Sequence, residues 1–234
     1  MEQLVFDLAT PEPPRLANFL SGRNAELVSL LPRFVEGALD ATGLLLWGAP
    51  AAGKSHLLRA AAAAAQEQGI RCKLVAEPAE LNEISIEGGN ALYAIDRIDE
   101  ATPAAAAQIF TLFNAAKERG GRVIAASRAP LAALPLREDL RTRLGWGLVY
   151  EVIPLADEDK PRALAAYAHE RGFELTEDVI HYLLRHGKRD MRSLLATLAA
   201  LDRRSLASKR AITVPLIREW LQRELEWPNA PGSG

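Results

Sequence analysis

The sequence predicts an α/β nucleotide-binding domain with a parallel sheet, followed by a smaller all-α domain. Residues 48–55 (GAPAAGKS) match the phosphate-binding pattern G-x-x-x-x-G-K-[ST], between an apolar strand and an alanine-rich helix. Apolar stretches rich in β-forming residues alternate with helical stretches as far as Pro154. From Asp157 onward only helical periodicity is found, which indicates a change of architecture.

The elements of the first domain are delimited mainly by apolar runs and glycines. A first helix is predicted over residues 21–35, ending near Gly37. Parallel strands need crossover helices, so the alternation favours a parallel sheet. Strands are predicted at 44–47, 72–76, 91–96, 122–127 and 148–153, with helices at 54–68 and 103–119.

Helical patterns at 158–171, 177–186, 190–205 and 214–225 predict the all-α domain, with Thr176 and Thr213 as N-caps. Residues 157–227 carry 13 Lys or Arg and 12 Asp or Glu, so this domain has no basic excess for DNA. We therefore predict four parts. They are an extended arm at 1–15, the α/β domain at 16–154, the helical domain at 155–227 and a disordered tail at 228–234.

Composition excludes several classes of protein. Of the 234 residues, 49% are hydrophobic and 25% charged, with a net charge of −2, which is ordinary for a globular protein and unlike an electrostatic nucleic-acid binder. No apolar run approaches the ~18 residues of a membrane span, and the acidic N-terminus is unlike a secretory signal. Cys72 is the single cysteine, so we expect no internal disulfide and a cytoplasmic location.

The phosphate-binding pattern has a direct physical basis. Gly48 and Gly53 let the backbone turn tightly and bring its N–H groups close to phosphate. The following helix start adds unpaired N–H groups and a partial positive charge. Lys54 would supply a cation for the β- and γ-phosphates, and Ser55 a hydroxyl for Mg²⁺.

An acidic residue at the end of a neighbouring strand completes such a site. Asp96 follows the apolar run Leu-Tyr-Ala-Ile and fits a Walker B carboxylate that holds Mg²⁺. Many related ATPases place a second acid next, to polarise the attacking water, but this chain has Arg97. Asp99 and Glu100 lie nearby at an unsuitable spacing. We therefore expect tight nucleotide binding with weak intrinsic hydrolysis; the contacts of Arg97 are left open.

These features resemble the AAA+ ATPases, and within them the family of the replication initiator DnaA. Residues 139–147 (DLRTRLGWG) are similar to the arginine-finger segment of DnaA and residues 18–24 (NFLSGRN) to its segment beside the adenine pocket. Residues 126–128 (ASR) resemble its sensor 1 turn and residues 190–195 (DMRSLL) its sensor 2 helix. The resemblance runs from about residue 16 to 225, nearly the whole chain.

The resemblance implies a set of site residues around ADP or ATP. Nucleotide contacts are implied for Asn18, Phe19, Gly48, Ala51, Ala52, Gly53, Lys54, Ser55, His56, Ser127 and Arg192, with Ser55 and Asp96 on Mg²⁺. In this family, Arg143 points away from the chain's own site and acts on ATP held by a partner. Arg141, two residues earlier, is the competing candidate for that role.

Departures from DnaA refine the resemblance. The sequence has no counterpart of the DnaA helix-turn-helix domain or its N-terminal domains, so we expect no direct sequence-specific DNA binding. Its N-terminus instead resembles a sliding-clamp-binding peptide, with Gln3 followed by the apolar anchors Leu4, Phe6 and Leu8. This combination, with residues 201–215, resembles the Hda family of regulatory inactivators of DnaA.

The implied function is stimulation of ATP hydrolysis by DnaA, with the sliding clamp and DnaA as partners and no membrane association. A homo-oligomer stays open, because the sequence does not reveal the oligomeric state. Two other functions stay open: a self-sufficient ATPase of the helicase-loader type, and a clamp-tethered adaptor without nucleotide switching. Arg97 argues against the first, and the intact Lys54 and Ser55 argue against the second.

Overall fold

A computed structural model of the chain describes residues 13–83, 89–188, 190–208 and 211–226. The described residues form two compact units that divide after Pro154. The first unit contains a five-stranded parallel sheet with helices, and the second contains helices only. The predicted fold class is therefore confirmed.

The sheet has the strand order β2-β3-β4-β1-β5, with every neighbouring pair parallel. Its strands are β1 (Gly43–Trp47), β2 (Arg71–Val75), β3 (Ala91–Ile95), β4 (Arg122–Ser127) and β5 (Leu148–Glu151). The three inner strands are buried almost throughout, as expected for strands with both faces covered, whereas the edge strands are partly exposed. The predicted strands agree within one or two residues at each end.

Four helices belong to the first unit: α1 (Ala25–Glu36), α2 (Lys54–Glu67), α3 (Pro103–Arg119) and α4 (Glu138–Gly145). Helices α1 and α2 share one apolar core with the sheet, and α3 and α4 share another. Sequence analysis missed α4, because its eight residues are mostly polar. Only Leu140 and Leu144, one turn apart, bury it against the core.

The start of α1 is tied to the chain that follows β5. Asn24 is buried, and its side chain pairs with the backbone of Ile153 through two hydrogen bonds of 2.8 Å. The Tyr150 hydroxyl donates to Glu26 Oε1 over 2.8 Å. These contacts fix the entry to α1 beside the outer strand.

The topology puts the predicted site residues at one edge of the sheet. Strand order reverses at β1, which lies between β4 and β5, and ligands bind outside the carboxyl ends of strands at such a switch point. The loop 48–53 follows β1, Asp96 follows β3, and Ser127 ends β4. Since these strands are parallel, all three features lie at the same edge.

The second unit comprises α5 (Lys160–Glu170), α6 (Glu177–His186), α7 (Met191–Ser208) and α8 (Val214–Glu226). These helices share a core that includes Leu164, Leu183, Leu198 and Ile217. Thr176 occupies the N-cap position of α6 as predicted, but its side chain makes no capping hydrogen bond. In the ranges that the structure describes, no helix is long and apolar enough to cross a membrane.

Candidate functional site

The phosphate loop has a backbone that glycine alone suits at two points. Gly48 has φ +152° and Gly53 has φ +102°, while Ala51 between them also has a positive φ, +60°. A Cβ on Gly48 would lie 2.5 Å from the Val152 carbonyl oxygen, and one on Gly53 would lie 2.7 Å from a Phe19 ring carbon. Glycine is therefore required at both positions, because φ is positive and because a Cβ would lie too close to neighbouring atoms.

Lys54 and Ser55 open helix α2 directly after this loop. The first turn of a helix leaves its N–H groups without intrahelical partners, and they point towards the loop. The Lys54 side chain folds over the loop, where Nζ donates to the carbonyl oxygens of Gly48 (2.8 Å) and Ala49 (2.7 Å). Burial lowers the pKa of Lys54, opposed by the charge of Asp96. A cation is thus held where phosphates would lie.

Asp96 continues from β3 and is positioned through its own backbone. Its N–H donates to the Val75 carbonyl oxygen over 2.9 Å, and its Oδ1 accepts from the Arg97 N–H at 2.9 Å. Asp96 and Ser55 are both half-buried. A carboxylate and a hydroxyl suit Mg²⁺, which prefers oxygen ligands and keeps several waters.

The described residues contain no cluster of three or more His, Cys, Asp and Glu side chains suited to a metal. A Mg²⁺ ion at Ser55 and Asp96 would therefore depend on phosphate and water oxygens for its remaining ligands, as is usual in nucleotide sites. The side chains present fit that arrangement. They do not fit a metal held by protein alone.

Arg97 has a left-handed backbone, with φ +53°. Its guanidinium donates to the Ala76 carbonyl oxygen over 3.2 Å, forms an ion pair with Glu77, and lies 3.7 Å from a Glu100 carboxylate oxygen. These contacts answer the question that the sequence left open. Arg97 links the ends of β2 and β3, and as a cation it cannot take a proton from water.

Ser127, the predicted sensor 1 residue, is buried at the end of β4. Its carbonyl oxygen accepts from the Gly48 N–H over 3.3 Å, so it contacts the first residue of the phosphate loop. Its hydroxyl donates to the Ala129 carbonyl oxygen over 2.7 Å. The structure therefore places Ser127 beside the loop but engages its hydroxyl within the chain.

The predicted base-side residues pack against the first turn of α2. The Asn18 side chain accepts from the Arg15 N–H (2.8 Å) and donates to the Pro13 carbonyl oxygen (3.2 Å), which closes a turn. The rings of Phe19 and His56 lie 5.4 Å apart, and His56 Nε2 lies 3.0 Å from the Arg15 carbonyl oxygen. Burial lowers the pKa of His56, favouring the neutral ring.

Arg143 lies on α4 against two aromatic rings. Its guanidinium carbon is 4.8 Å from the ring centre of Trp146 and 5.1 Å from that of Phe110. Lys117 Nζ lies 5.0 Å from the same Trp146 ring, which is 60% exposed. Arg143 therefore lines a surface groove, where stacking holds the guanidinium without neutralising it.

Arg141 has a different environment. Its guanidinium donates to the Ala132 carbonyl oxygen over 3.3 Å, so the side chain folds back onto its own chain. Arg143 has the aromatic groove instead. The two competing arginines are thus distinguished by their contacts.

The remaining predicted residues belong to the second unit or lie outside the residues that the structure describes. Arg192 belongs to the second unit, exposed in the first turn of α7, where Asp190 Oδ1 accepts from the Ser193 N–H at 2.9 Å. Gln3, Leu4, Phe6 and Leu8 lie outside the described residues. Sequence reasoning gave no role of their own to Arg128 and Trp146, which it named only within the segments 126–128 and 139–147, and it did not identify Phe110. Trp146, a large aromatic between two glycines in a polar segment, was the one visible signal.

Comparison with known proteins agrees with this architecture. Residues 157–221 match the family model described as "Hda, lid domain". Domain III of the replication initiation protein DnaA from Thermotoga maritima is similar, with a TM-score of 0.75, 17% identity, and coverage of 92% of this chain and 98% of that one.

Two further solved structures share the fold. AMPPCP-bound DnaA from Aquifex aeolicus has a TM-score of 0.68 at 20% identity, covering 84% of this chain and 66% of that one. The Thermotoga maritima RuvB Holliday junction branch migration motor has a TM-score of 0.63 at 17% identity, covering 90% and 72%. At these identities the likeness establishes the fold.

Proposed function

We propose that this chain is a DnaA/Hda-like AAA+ protein that acts as a nucleotide-bound regulator of replication initiation, because residues 157–221 match the Hda lid model and the fold resembles domain III of DnaA. It binds the polymerase sliding clamp and stimulates hydrolysis of the ATP held by DnaA. The observation that carries the proposal is the setting of Arg143, a charged guanidinium held in a surface groove by Phe110 and Trp146. Such a residue is available to a partner.

The proposed ligand of the chain's own site is ADP or ATP. Residues 48–55 form the phosphate cradle. The adenine base would lie near Asn18, Phe19 and His56, where the segment with Asn18 and Phe19 packs against the first turn of α2. A similarly folded DnaA was solved with AMPPCP, an adenine nucleotide analogue. Ser55 and Asp96 hold the accompanying Mg²⁺, which neutralises charge on the phosphates when bound. Nucleotide contact by Arg192 stays a prediction from the resemblance.

Intrinsic hydrolysis is expected to be weak. The residue after Asp96 is Arg97, which is ion-paired to Glu77 and cannot polarise an attacking water. In a single-turnover assay with purified protein and Mg²⁺-ATP, we expect a rate well below about 1 s⁻¹, the low end of typical turnover numbers. A rate near that value would show a complete catalytic site and contradict the proposal.

Action in trans relies on Arg143. Phosphoryl transfer develops negative charge on the phosphate oxygens, and an arginine supplied by a partner can raise its rate by roughly 10³–10⁵. Arg143 is the arginine of this segment with an environment suited to that task, because the Arg141 guanidinium donates to the Ala132 carbonyl oxygen. The nucleotide in the chain's own site shapes the protein, and the hydrolysis that matters occurs on DnaA.

A reconstituted assay tests the clamp tether. Full-length protein, clamp loaded on DNA and ATP-bound DnaA are combined, and phosphate release and clamp capture are measured. We expect Gln3→Ala with Phe6→Ala to lose clamp capture and clamp-dependent stimulation while keeping nucleotide binding, because the peptide supplies its anchors. Glu2→Ala is the matched control, since it changes the same arm outside the pattern. Equal clamp capture by all three proteins would refute the tether.

Phosphate release without DnaA and melting temperatures with nucleotide separate the two alternatives. A helicase-loader-type ATPase would hydrolyse ATP without DnaA, whereas an adaptor without nucleotide switching would show no rise in melting temperature with ADP or ATP. Arg97 disfavours the first. The ordered loop around Lys54 disfavours the second.

A further inference from the structure

Charged side chains form a network beside the phosphate loop, at the ends of β3 and β4. The Arg128 N–H donates to Asp99 Oδ1 over 3.1 Å, and its Nε lies 3.7 Å from Asp99 Oδ2. The same guanidinium is ion-paired with Glu100, which also lies 3.7 Å from Arg97. Asp99 is largely buried, with 13% of its side chain exposed, while 54% of the Arg128 side chain is exposed. Arg128 is thus a half-exposed cation on a buried carboxylate.

This network lies next to the position that phosphates would occupy. The residue before Arg128 is Ser127, whose carbonyl oxygen accepts from the N–H of Gly48, the first residue of the loop. Lys54, at the other end of the loop, experiences the charges of both Asp99 and Arg128, although burial has the larger effect on its pKa. The carboxylates and the arginine therefore belong to the electrostatic surroundings of the loop.

The predicted phosphate sensor, Ser127, is poorly suited to that role. Its side chain is buried and its hydroxyl is committed to the Ala129 carbonyl oxygen at 2.7 Å. Contact with a phosphate would require it to give up that bond and leave a carbonyl unsatisfied, which is costly in a buried place. Arg128 can move at lower cost, because its guanidinium is half-exposed, its ion pair with the exposed Glu100 contributes little net stability, and Asp99 keeps its hydrogen bond from the Arg128 backbone N–H.

We infer that Arg128, rather than Ser127, is the group that detects the third phosphate of a nucleoside triphosphate bound at residues 48–55. The inference rests on the proposed nucleotide site. With a diphosphate bound, Arg128 stays on Asp99 and Glu100. A γ-phosphate competes for the same guanidinium, because a planar fork of N–H donors matches phosphate oxygens as well as carboxylates.

The exchange has a local consequence. When Arg128 moves to the phosphate, Asp99 and Glu100 lose their shared cation. Both belong to the short 3₁₀ turn Ile98–Glu100, which directly follows Asp96 and Arg97. The charge environment of the turn Ile98–Glu100, just after Asp96, thereby depends on whether a diphosphate or a triphosphate is bound.

Arg97 provides a matched control within the same network. It shares Glu100 with Arg128, but its guanidinium also bonds to Ala76 and Glu77 beyond the end of β2. Arg97→Gln therefore removes one cation from the same carboxylate without removing the proposed phosphate contact. Ser127→Ala removes the hydroxyl that the resemblance had assigned to sensing.

The test measures dissociation constants of AMPPCP and ADP, with Mg²⁺, for the full-length chain and three variants. We expect Arg128→Gln to weaken AMPPCP binding about tenfold, as for one lost charge-assisted contact, and to leave ADP binding within about twofold. Arg97→Gln and Ser127→Ala should leave the ratio of the two constants unchanged. Arg128→Lys should recover part of the loss, because it keeps the charge but not the planar fork.

Outcomes separate this inference from the proposal beneath it. If the unaltered chain binds both nucleotides and Arg128→Gln keeps its AMPPCP-to-ADP ratio, the assignment of Arg128 is wrong while the nucleotide site stands. A ratio that changes in Ser127→Ala alone would return the sensing role to the serine. Absence of binding of either nucleotide to the unaltered chain would overturn the nucleotide site and this inference together.

Discussion

Replacing Arg143 with alanine is expected to abolish stimulation of DnaA-bound ATP hydrolysis, lowering the stimulated rate by about 10³-fold or more. The loss follows from removing a positive charge that meets the transferring phosphoryl group only in the complex. The chain's own nucleotide affinity and melting temperature should change little, because Arg143 lies on α4 at a surface groove. Phosphate release from ATP-DnaA, with clamp and saturating protein, is the measurement.

Two companion variants sharpen this experiment. Arg141→Ala is the matched control, two residues away on the same helix, with its guanidinium on the Ala132 carbonyl oxygen. Arg143→Lys should recover only a small part of the activity, because lysine keeps a charge but lacks the planar fork of donors. Full stimulation by Arg143→Ala, or loss confined to Arg141→Ala, would refute the assignment.

The aromatic setting of Arg143 would favour the proposed role of this long side chain as an arginine finger. A free arginine loses rotamer entropy when it docks, up to about 2 kcal/mol. Stacking on Phe110 and Trp146 restricts the side chain before docking, so less is lost on binding. Cation–π contacts at exposed sites are worth about 0.5–1 kcal/mol, which is weak enough for a phosphate to displace them.

The parts of the fold that could be predicted from sequence are those with a local cause. The β3 segment is apolar throughout because both faces of the strand are covered, and Gly37 and Gly120 end their helices with positive φ. The loop at 48–55 is also local, since its glycines are needed by the backbone itself. Helix α4 could not be predicted in this way, because two leucines give too short a pattern.

The site was harder to predict where it depends on contacts between distant segments. Arg128 meets Asp99 only because β3 and β4 are parallel neighbours, and no spacing in the sequence pairs them. The direction of Arg97 depends on Glu77, at the end of a strand that precedes it in the sheet order. Whether Ser127 has a free hydroxyl depends on a single bond to Ala129. The sequence named the residues of the loop 48–55 and of the neighbouring strand ends but not the partners of their side chains.

Replacing Lys54 with methionine is expected to remove nucleotide binding by the chain itself. Methionine keeps much of the length and apolar contact of the stem, so the change reports the charge. Each charge-assisted hydrogen bond contributes about 1.5–3 kcal/mol, so losing two weakens binding by roughly 10² to 10⁴-fold. The dissociation constant of Mg²⁺-ADP, measured calorimetrically, checks this.

Thermal unfolding gives an independent readout. Ligand at about 100 times its dissociation constant stabilises the folded state by about 2.7 kcal/mol, equivalent to a rise of the order of 5–10 °C for a chain of this size. We expect that rise in the unaltered chain and in Lys73→Ala, an exposed lysine on β2, and no rise in Lys54→Met. ADP affinity of Lys54→Met within threefold of the original would contradict the role of Lys54.

Lys54→Met and Arg143→Ala together distinguish the two nucleotides of the proposed mechanism. Arg143→Ala should leave the chain's own nucleotide bound while hydrolysis on DnaA stops. Lys54→Met should empty the chain's own site while the Arg143 groove, whose lining includes no residue of the loop 48–53, keeps its structure. Any loss of stimulation in Lys54→Met then measures how much the bound nucleotide favours the conformation of the chain that binds DnaA. Unchanged stimulation by Lys54→Met would mean that Arg143 acts on DnaA-bound ATP without a nucleotide in the chain's own site.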